Sequence, residues 1–582
     1  MARKISSRLK IEGTLIAQTP VHVGGFGESP GTDLPLAQNG KGEWYVPGTS
    51  LAGALRSWCV KNFGKALTEK LFGPKHSKGD AEGFASFVLI EDATIEKADE
   101  ILSEIRDGVG IDRFYGAAAN KAKFDRAILP RGTRLNFKMT AEIGEEHNAQ
   151  ETKAVIGHLL AALQKETIRF GAARTRGLGR VKLMGKKKEK GELENEPEIK
   201  EQSLIGFENI LSLLSGNSVM RSIQDLKDAA SFSPNSWPRL DIAVHWQPRL
   251  PVMVKAGYDG IGVDMLPLTS SVDTDELALC LPGSSIKGAL RSHAERIVRT
   301  LLSSESTKGK DFHDQIKALP LIDELFGAKK EKDTQNERLG LGALAIDDCY
   351  AAEKMNADTW RKVELARDNK PKDAAKGSHP DAKGTDENQS GQGEVSYFKR
   401  ELWQYLREID ERTSNLSDAE YAKDTNRFRI NHHVAIDRWT GGASEGALYS
   451  VLAPTKVDWE AMRLTLDFGR IEEEARLAAL MLLLLTLRDV AENRLPFGFA
   501  TTRGMGEIEL KSFDFIGSGK VKVKKILKQN GEIVEQAEDI EIDLKDALSA
   551  VVEKGTCKFV DSELKEQAQM RWGKWLKQNQ TS

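Results

Sequence analysis

The chain has 582 residues, of which 40% are hydrophobic and 29% charged, and its formal net charge is −3. That length exceeds one ordinary core, so several domains are expected, and ten Trp and 21 Phe at this apolar content exclude wholesale disorder. The strongest apolar run, LAALMLLLLTL at 477–487, is too short to cross a bilayer and is flanked by Arg476 and Arg488, so a buried helix, no membrane partner and a cytoplasmic location are expected.

In chain order, residues 9–17 alternate apolar and polar as a strand, 49–64 have helical spacing, 84–92 and 133–141 read as strands, 151–165 as a second helix, and 177–184 as a last strand behind a Gly-rich loop. This order is the β-α-β-β-α-β ferredoxin-like unit that RNA-recognition motifs also use, and it defines a first domain at 1–185. Residues 186–236 read as a charged linker with short amphipathic helices in LIGFENILSLL and VMRSIQDLKDAA.

Residues 237–511 then repeat the first domain. VPGTSLAGALR at 46–56 returns as LPGSSIKGALR at 281–291, GIDRFYGAA at 110–118 as AIDRWTGGA at 435–443, and FGAARTRGLGRVKL at 170–183 as FGFATTRGMGEIEL at 497–510. LFG at 71–73 recurs at 325–327, and FVLIEDA at 87–93 answers LAIDDCY at 344–350. The offset is 256 at Asp92/Asp348 and 325 at Ile111/Ile436, so copy two carries 69 additional residues between those landmarks. They fall within 350–430, where DTWRKVELARD and YFKRELWQYLREIDER have helical spacing around a polar, Gly-rich stretch expected to be disordered. A C-terminal extension, 512–582, starts basic and strand-like. The expected fold class is α+β: two tandem ferredoxin-like domains with insertions.

Charge is unevenly divided. Residues 1–185 hold 27 Lys+Arg against 21 Asp+Glu, a surplus suited to a polyanion, and the remainder holds 57 against 66. Cys59, Cys280, Cys349 and Cys557 have no paired spacing, so free, mostly buried thiols are expected in place of a zinc or redox motif. The histidines, including adjacent His432 and His433, show no metal-ligand spacing either.

The repeated segments admit two readings each. Pro47-Gly48 makes a turn whose Thr49 or Ser50 caps the next helix; Gly53 leaves its first turns bare and Arg56 reaches the same anion, with Ser285, Lys287, Gly288 and Arg291 as counterparts. The bland reading is a capped helix whose Gly packs on a strand. In RTRGLGR, Arg174, Arg176 and Arg180 offer phosphate partners; copy two keeps Arg503 but has Glu507 at the place of Arg180, which weakens its grip. A hairpin turn is the alternative.

Together, PVHVGG, an Asp-bearing loop, PGTSLAGALR, IDR followed by Gly, and RTRGLGRV resemble the RAMP superfamily, specifically backbone subunits of type III CRISPR effector complexes. Two such domains in one chain resemble the tandem-fused double-backbone subunit of type III-D systems. The resemblance implies a ribonucleoprotein of antiviral defence: each domain clasps CRISPR guide RNA, a thumb displaces a base, and guide-complementary single-stranded target RNA is cut beside it, among other type III effector subunits. It further implies an Asp as cutting residue in the loop after the first strand, with Mg²⁺ as cofactor and metal-dependent endoribonuclease (hydrolase) activity. The matches are Asp33 and Asp264, with Asp259 a near rival, each also readable as a turn-forming Asp. His22 matches a position that supports guide binding, where copy two has Met253. Arg113 and Arg438 of IDR are readable as guide-backbone contacts, with Asp112 and Asp437 orienting them, or as structural Asp-Arg pairs. The thumb is expected to branch before IDR, short in copy one and long in copy two. A non-catalytic structural backbone segment is the rival reading, and a guide-processing ribonuclease the third.

Overall fold

The computed structural model describes residues 5–25, 31–74, 84–96, 103–144, 148–187, 192–204, 218–303, 308–316, 319–328, 340–366, 402, 404–409, 427–529, 532–551 and 556–580. The copy-one sheet places Val181–Met184, Ile5–Ala17, Arg134–Gly144 and Val88–Ile90 side by side, the fourth-first-third-second order of a ferredoxin-like unit. Ile5–Ala17 is central because both its edges are paired antiparallel: Leu15 opposes Leu135 on one side and Leu183 on the other. Alternation buries Leu9, Ile11 and Leu15 beneath the helices Gly48–Phe63 and Ala149–Gln164, whose inward residues include Leu51, Leu55, Leu159 and Leu163.

Copy two repeats the order with Ile508–Ser518, Arg239–Pro248, Met462–Asp467 and Leu344–Asp347. Its helices are Gly283–Leu301 and Arg476–Ala491. The second contains the apolar run and is buried around most of its circumference: its sequence is nearly all apolar, the sheet covers one side, and the C-terminal helix Ser562–Gln580 packs on the same core through Leu564, Ala568 and Trp575. That last helix was not expected. No helix among the described residues is long and apolar enough to cross a membrane.

Three expectations are corrected. The supposed linker supplies a strand, Glu198–Ser203, paired to Ile5–Ala17 in the register Ile11↔Ile199, because Ile199 fills the core and the carboxylate of Glu201 is held by Lys153 and Arg221. VMRSIQDLKDAA splits into the strand Val219–Arg221 and a helix, Ile223–Lys227, closed by a Ser222/Asp225 capping box, and LIGFENILSLL lies largely outside the described residues. The third concerns IDR, which is the tip of a hairpin in both copies: Glu104–Ile111 with Ala118–Ile128, and Phe428–Ile436 with Ala443–Pro454. The hairpin therefore forms around IDR and not before it, and its two versions have similar length. The added residues of copy two precede the hairpin. There the helix Ala357–Leu365 and residues 404–409, also helical, pack Trp360, Val363 and Leu406 into a small core of their own, and the polar stretch is outside the described residues.

The copies are joined tightly. Arg176–Gly177 of the Gly-rich loop adds a parallel strand to the copy-two sheet, Arg176 opposite Ile346 and Gly177 opposite Asp347. Buried Asp347 forms ion pairs with Arg169 at 2.6 Å and Arg180 at 3.3 Å. Hairpin one lies on copy two: Glu104 accepts from Ser270 and Ser271, Arg106 faces Asp348 at 3.5 Å, and Arg113 pairs with Glu295 at 2.7 Å.

Candidate RNA-cutting site

Each loop aspartate is pinned to the base of a hairpin. Asp33 donates its backbone N–H to Asp125 Oδ1 (2.7 Å), its Oδ2 accepts the backbone N–H of Asp125 (2.9 Å), and the Thr32 hydroxyl also donates to Asp125 Oδ1 (2.5 Å). These donors hold the Asp125 carboxyl below the usual carboxylate range, the Thr32 hydroxyl being the larger cause. In copy two Asp264 Oδ2 accepts the N–H (2.6 Å) and hydroxyl (2.9 Å) of Ser450, and the Asp264 N–H donates back to Ser450 Oγ (3.1 Å). The next residues form parallel bridges, Leu34 with Arg126 and Met265 with Val451. Asp33 to Asp264 is an offset of 231, and Asp125 to Ser450 is 325, the offset of the hairpin landmarks. Asp264 is therefore the structural counterpart of Asp33. Asp259 instead ion-pairs with Lys255 at 2.8 Å on the surface. Both loop carboxylates remain exposed despite their anchoring.

His22 is 3% exposed, and its Nδ1 lies 2.7 Å from the Ala127 carbonyl, which accepts the ring proton. Burial chiefly, with Arg126 adding to it, pushes its pKa down against the effect of that carbonyl, so the ring is neutral near neutral pH. Met253 takes the equivalent buried place. A reason for the FGA and FGF glycines is visible here: a Cβ on Gly171 or Gly498, both at positive φ, would lie 2.2 Å from the carbonyl oxygen of His22 or Met253.

The PGTS helix starts differ from the expected caps. Pro47 and Pro282 are the N-caps, no side chain of the segment caps, and the first N–H, of Gly48 or Gly283, is taken by Asp92 (2.8 Å) or Asp348 (2.7 Å) from the strand region alongside. The backbone N–H groups of Ser50 and Ser285 turn back to the proline carbonyls. Gly48 and Gly283 take the close strand contact, since a Cβ there would meet Ile90 or Ile346 oxygen at 2.2 and 2.3 Å, whereas Gly53 and Gly288 face open space. That open face is the part of the helix a polymer backbone can approach.

The arginines of these helices serve the fold. Arg56 donates to the Phe72 carbonyl, and Arg291 donates to Gly327 oxygen (2.6 Å) and pairs with Glu295 and Asp323, so both brace the LFG turn and do not reach the helix start. Lys287 is 5% exposed and donates to the Leu344 carbonyl; burial, with Arg176, Arg291 and Arg470 nearby, pushes it down to about 7. Arg180 is committed to Asp347 and Glu166. Arg174 lines a cavity of about 550 Å³ between the copies, together with Trp58, Arg169, Trp237 and Arg470. Arg176 is exposed, and its counterpart Arg503 binds the Tyr449 hydroxyl and lies over the Tyr449 and Phe499 rings.

In both IDR tips the Asp closes the turn and does not orient its Arg. Asp112 accepts from the N–H groups of Phe114 and Tyr115, and Asp437 from those of Trp439 and Thr440, which holds both carboxyls below their usual range. Arg113 reaches Glu295 of copy two, while Arg438 is exposed beside Trp439, which is 96% exposed. The sequence reading missed Asp125 and Ser450. Among the described residues no cluster of three His, Cys, Asp or Glu suits a metal ion, and Cys59, Cys280 and Cys349 are free and buried.

Two successive ferredoxin-like domains agree with comparisons to known proteins. The chain is similar to the CRISPR system Cms endoribonuclease Csm3 of Methanocaldococcus jannaschii, 25% identical over 202 residues that make up 31% of this chain and 79% of that protein. The RAMP superfamily sequence model matches twice, at residues 14–182 and 274–509, one match in each copy, and the chain belongs to the RAMP superfamily.

Proposed function

We propose that the chain is a double-backbone subunit of a type III CRISPR effector complex, holding guide RNA and cutting complementary RNA at two places, one beside each loop aspartate. The observation that carries this is the equivalence of Asp33 and Asp264, exposed carboxylates tied to the same register position of two hairpins. Similarity to a protein named an endoribonuclease supports RNA cleavage as the chemistry.

Base pairing supplies sequence specificity, so the protein needs only to hold shape and backbone. The open faces at Gly53 and Gly288, with Ser50 and Ser285 on the same turns, and exposed Arg176 and Arg438 receive phosphates. Arg503 and the neighbourhood of buried His22 lie close to the same hairpin bases. At the cut the aspartate orients or accepts the proton of the attacking 2′-hydroxyl. With two carboxylates at most in each site, a Mg²⁺ ion fits only if RNA phosphate oxygens complete its shell, as is usual for this ion. Asp33 and Asp264 would hold it, and it would supply neutralisation of charge at the phosphate. Hairpin two, whose tip carries Trp439 and Arg438, is the surface offered to a neighbouring effector subunit.

The test is cleavage of a guide-complementary RNA by the assembled complex carrying D33A, D264A or both. Each substitution is expected to remove one of two regularly spaced cuts while target binding persists. An unchanged cut pattern would assign the chain a structural role, with cutting done elsewhere.

A further inference from the structure

We infer that Asp125 and Ser450 are positioning residues that lock the two loop aspartates to their hairpins by different chemistry. This rests on the reading of Asp33 and Asp264 as the cutting residues. An exposed loop carboxylate samples several rotamers, whereas chemistry needs it held near one geometry, and a displacement of about 1 Å costs on the order of 100-fold in rate. Asp33 is held at two points, by its own N–H and by its carboxylate, and both partners belong to Asp125. Asp264 is held at the same two points by Ser450.

The hydrogen-bond inventory explains how dissimilar residues fill one role. An ionised Asp side chain only accepts, so Asp125 uses its carboxylate to take the Asp33 N–H and the Thr32 hydroxyl, and offers its backbone N–H to Asp33 Oδ2. A serine hydroxyl both donates and accepts, so Ser450 gives its hydroxyl proton and its N–H to Asp264 Oδ2 and takes the Asp264 N–H on the same oxygen. Either residue closes the ring of bonds; alanine does not. Because both sit at the base of a hairpin strand, movement of the hairpin is transmitted to the carboxylate. In copy one the cutting group is thereby set by the same element that contacts the neighbouring domain.

The two cuts of one complex give separate products, so each serves as the control for the other. In single-turnover cleavage by the assembled complex, D125A is expected to lower the copy-one cut by about 10-fold or more, leaving the copy-two cut and target RNA affinity unchanged. D125S and D125N, which keep an acceptor for the Asp33 N–H, are expected to restore it to within about 3-fold. S450A, retaining only its backbone N–H, is expected to slow the copy-two cut alone, and S450D to preserve it. The inference is overturned if D125A cuts at the wild-type rate, if it lowers both cuts together, or if D125S and D125N fail to rescue. D33A separates the two levels: survival of the copy-one cut in D33A sinks the cutting assignment itself, while its loss in D33A but not in D125A sinks only the positioning role.

Discussion

Lys287 sits in an unfavourable place for a cation, with a single backbone carbonyl as acceptor and three arginines around it. Its pKa falls from 10.5 unfolded to about 7 folded, so between these values the unfolded chain binds more protons and stability rises with pH. Below about pH 7 both states are protonated and the full penalty is present. Replacing Lys287 with Met is therefore expected to raise the melting midpoint by several degrees at about pH 6, and the gain should shrink toward pH 10. Thermal melts across pH check this; a pH-independent change would refute it. At this scale the sequence exposed only part of the site. Asp33 and Asp264 were legible because each lies in the loop after the first strand, follows Gly-X and precedes an apolar stretch with Pro-Leu. Asp125 and Ser450 were not, because their contacts span 92 and 186 residues and their side chains share no type. Arg56 and Arg291 misled for a related reason: a long cation reads as a ligand for phosphate until the carbonyls and carboxylates of a neighbouring turn are seen to occupy it.

The two hairpins differ in what their tips touch. Tip one is held by Arg113 to Glu295, which is nearly buried, and by Gln315, whose amide bridges the Arg113 N–H and the Asp112 carboxylate. Tip two has exposed Val434, Ile436, Trp439 and Leu448. Limited trypsin digestion of the isolated chain is expected to cut after Arg438 and spare Arg113. E295A should leave the Arg113 guanidinium without its acid, cost about 3 kcal/mol of docking, and open Arg113 to cleavage. Equal protection of both tips in the wild type would contradict this. The hairpins were hard to read from sequence because EIRDGVGI carries two glycines and its alternation leaves apolar residues outside, so neither strand shows the usual buried face. The sheet strands and helices of the first domain, by contrast, turn a continuous apolar face to the core and were placed to within a few residues.

Across the whole molecule, the Gly-rich loop of copy one completes the copy-two sheet, and Asp347 neutralises Arg169 and Arg180 beneath it. Together with the docked hairpin, this predicts one cooperative calorimetric transition. D347A, which strands half-buried Arg169 and leaves Arg180 with Glu166 alone, is expected to lose about 3–5 kcal/mol and split the transition into two. A single unshifted peak would disprove the coupling. The duplication was plain in the sequence; the weld was not, since nothing in RTRGLGR announces that its backbone will pair with a distant LAID.

The same join bears on self-recognition. At the end of copy two, Arg169 and Arg180 are answered by Pro496 and Glu507, and Asp347 of copy two is answered by Glu91 in copy one. If a second identical chain followed the first in the geometry that links copy one to copy two, Glu507, which Arg249 pairs at 3.1 Å, would stand where Arg180 stands and Pro496 where Arg169 stands, with Glu91 in the place of Asp347. The buried pairing of one acid with two arginines that welds the copies within a chain would thus have no equivalent at a junction between chains.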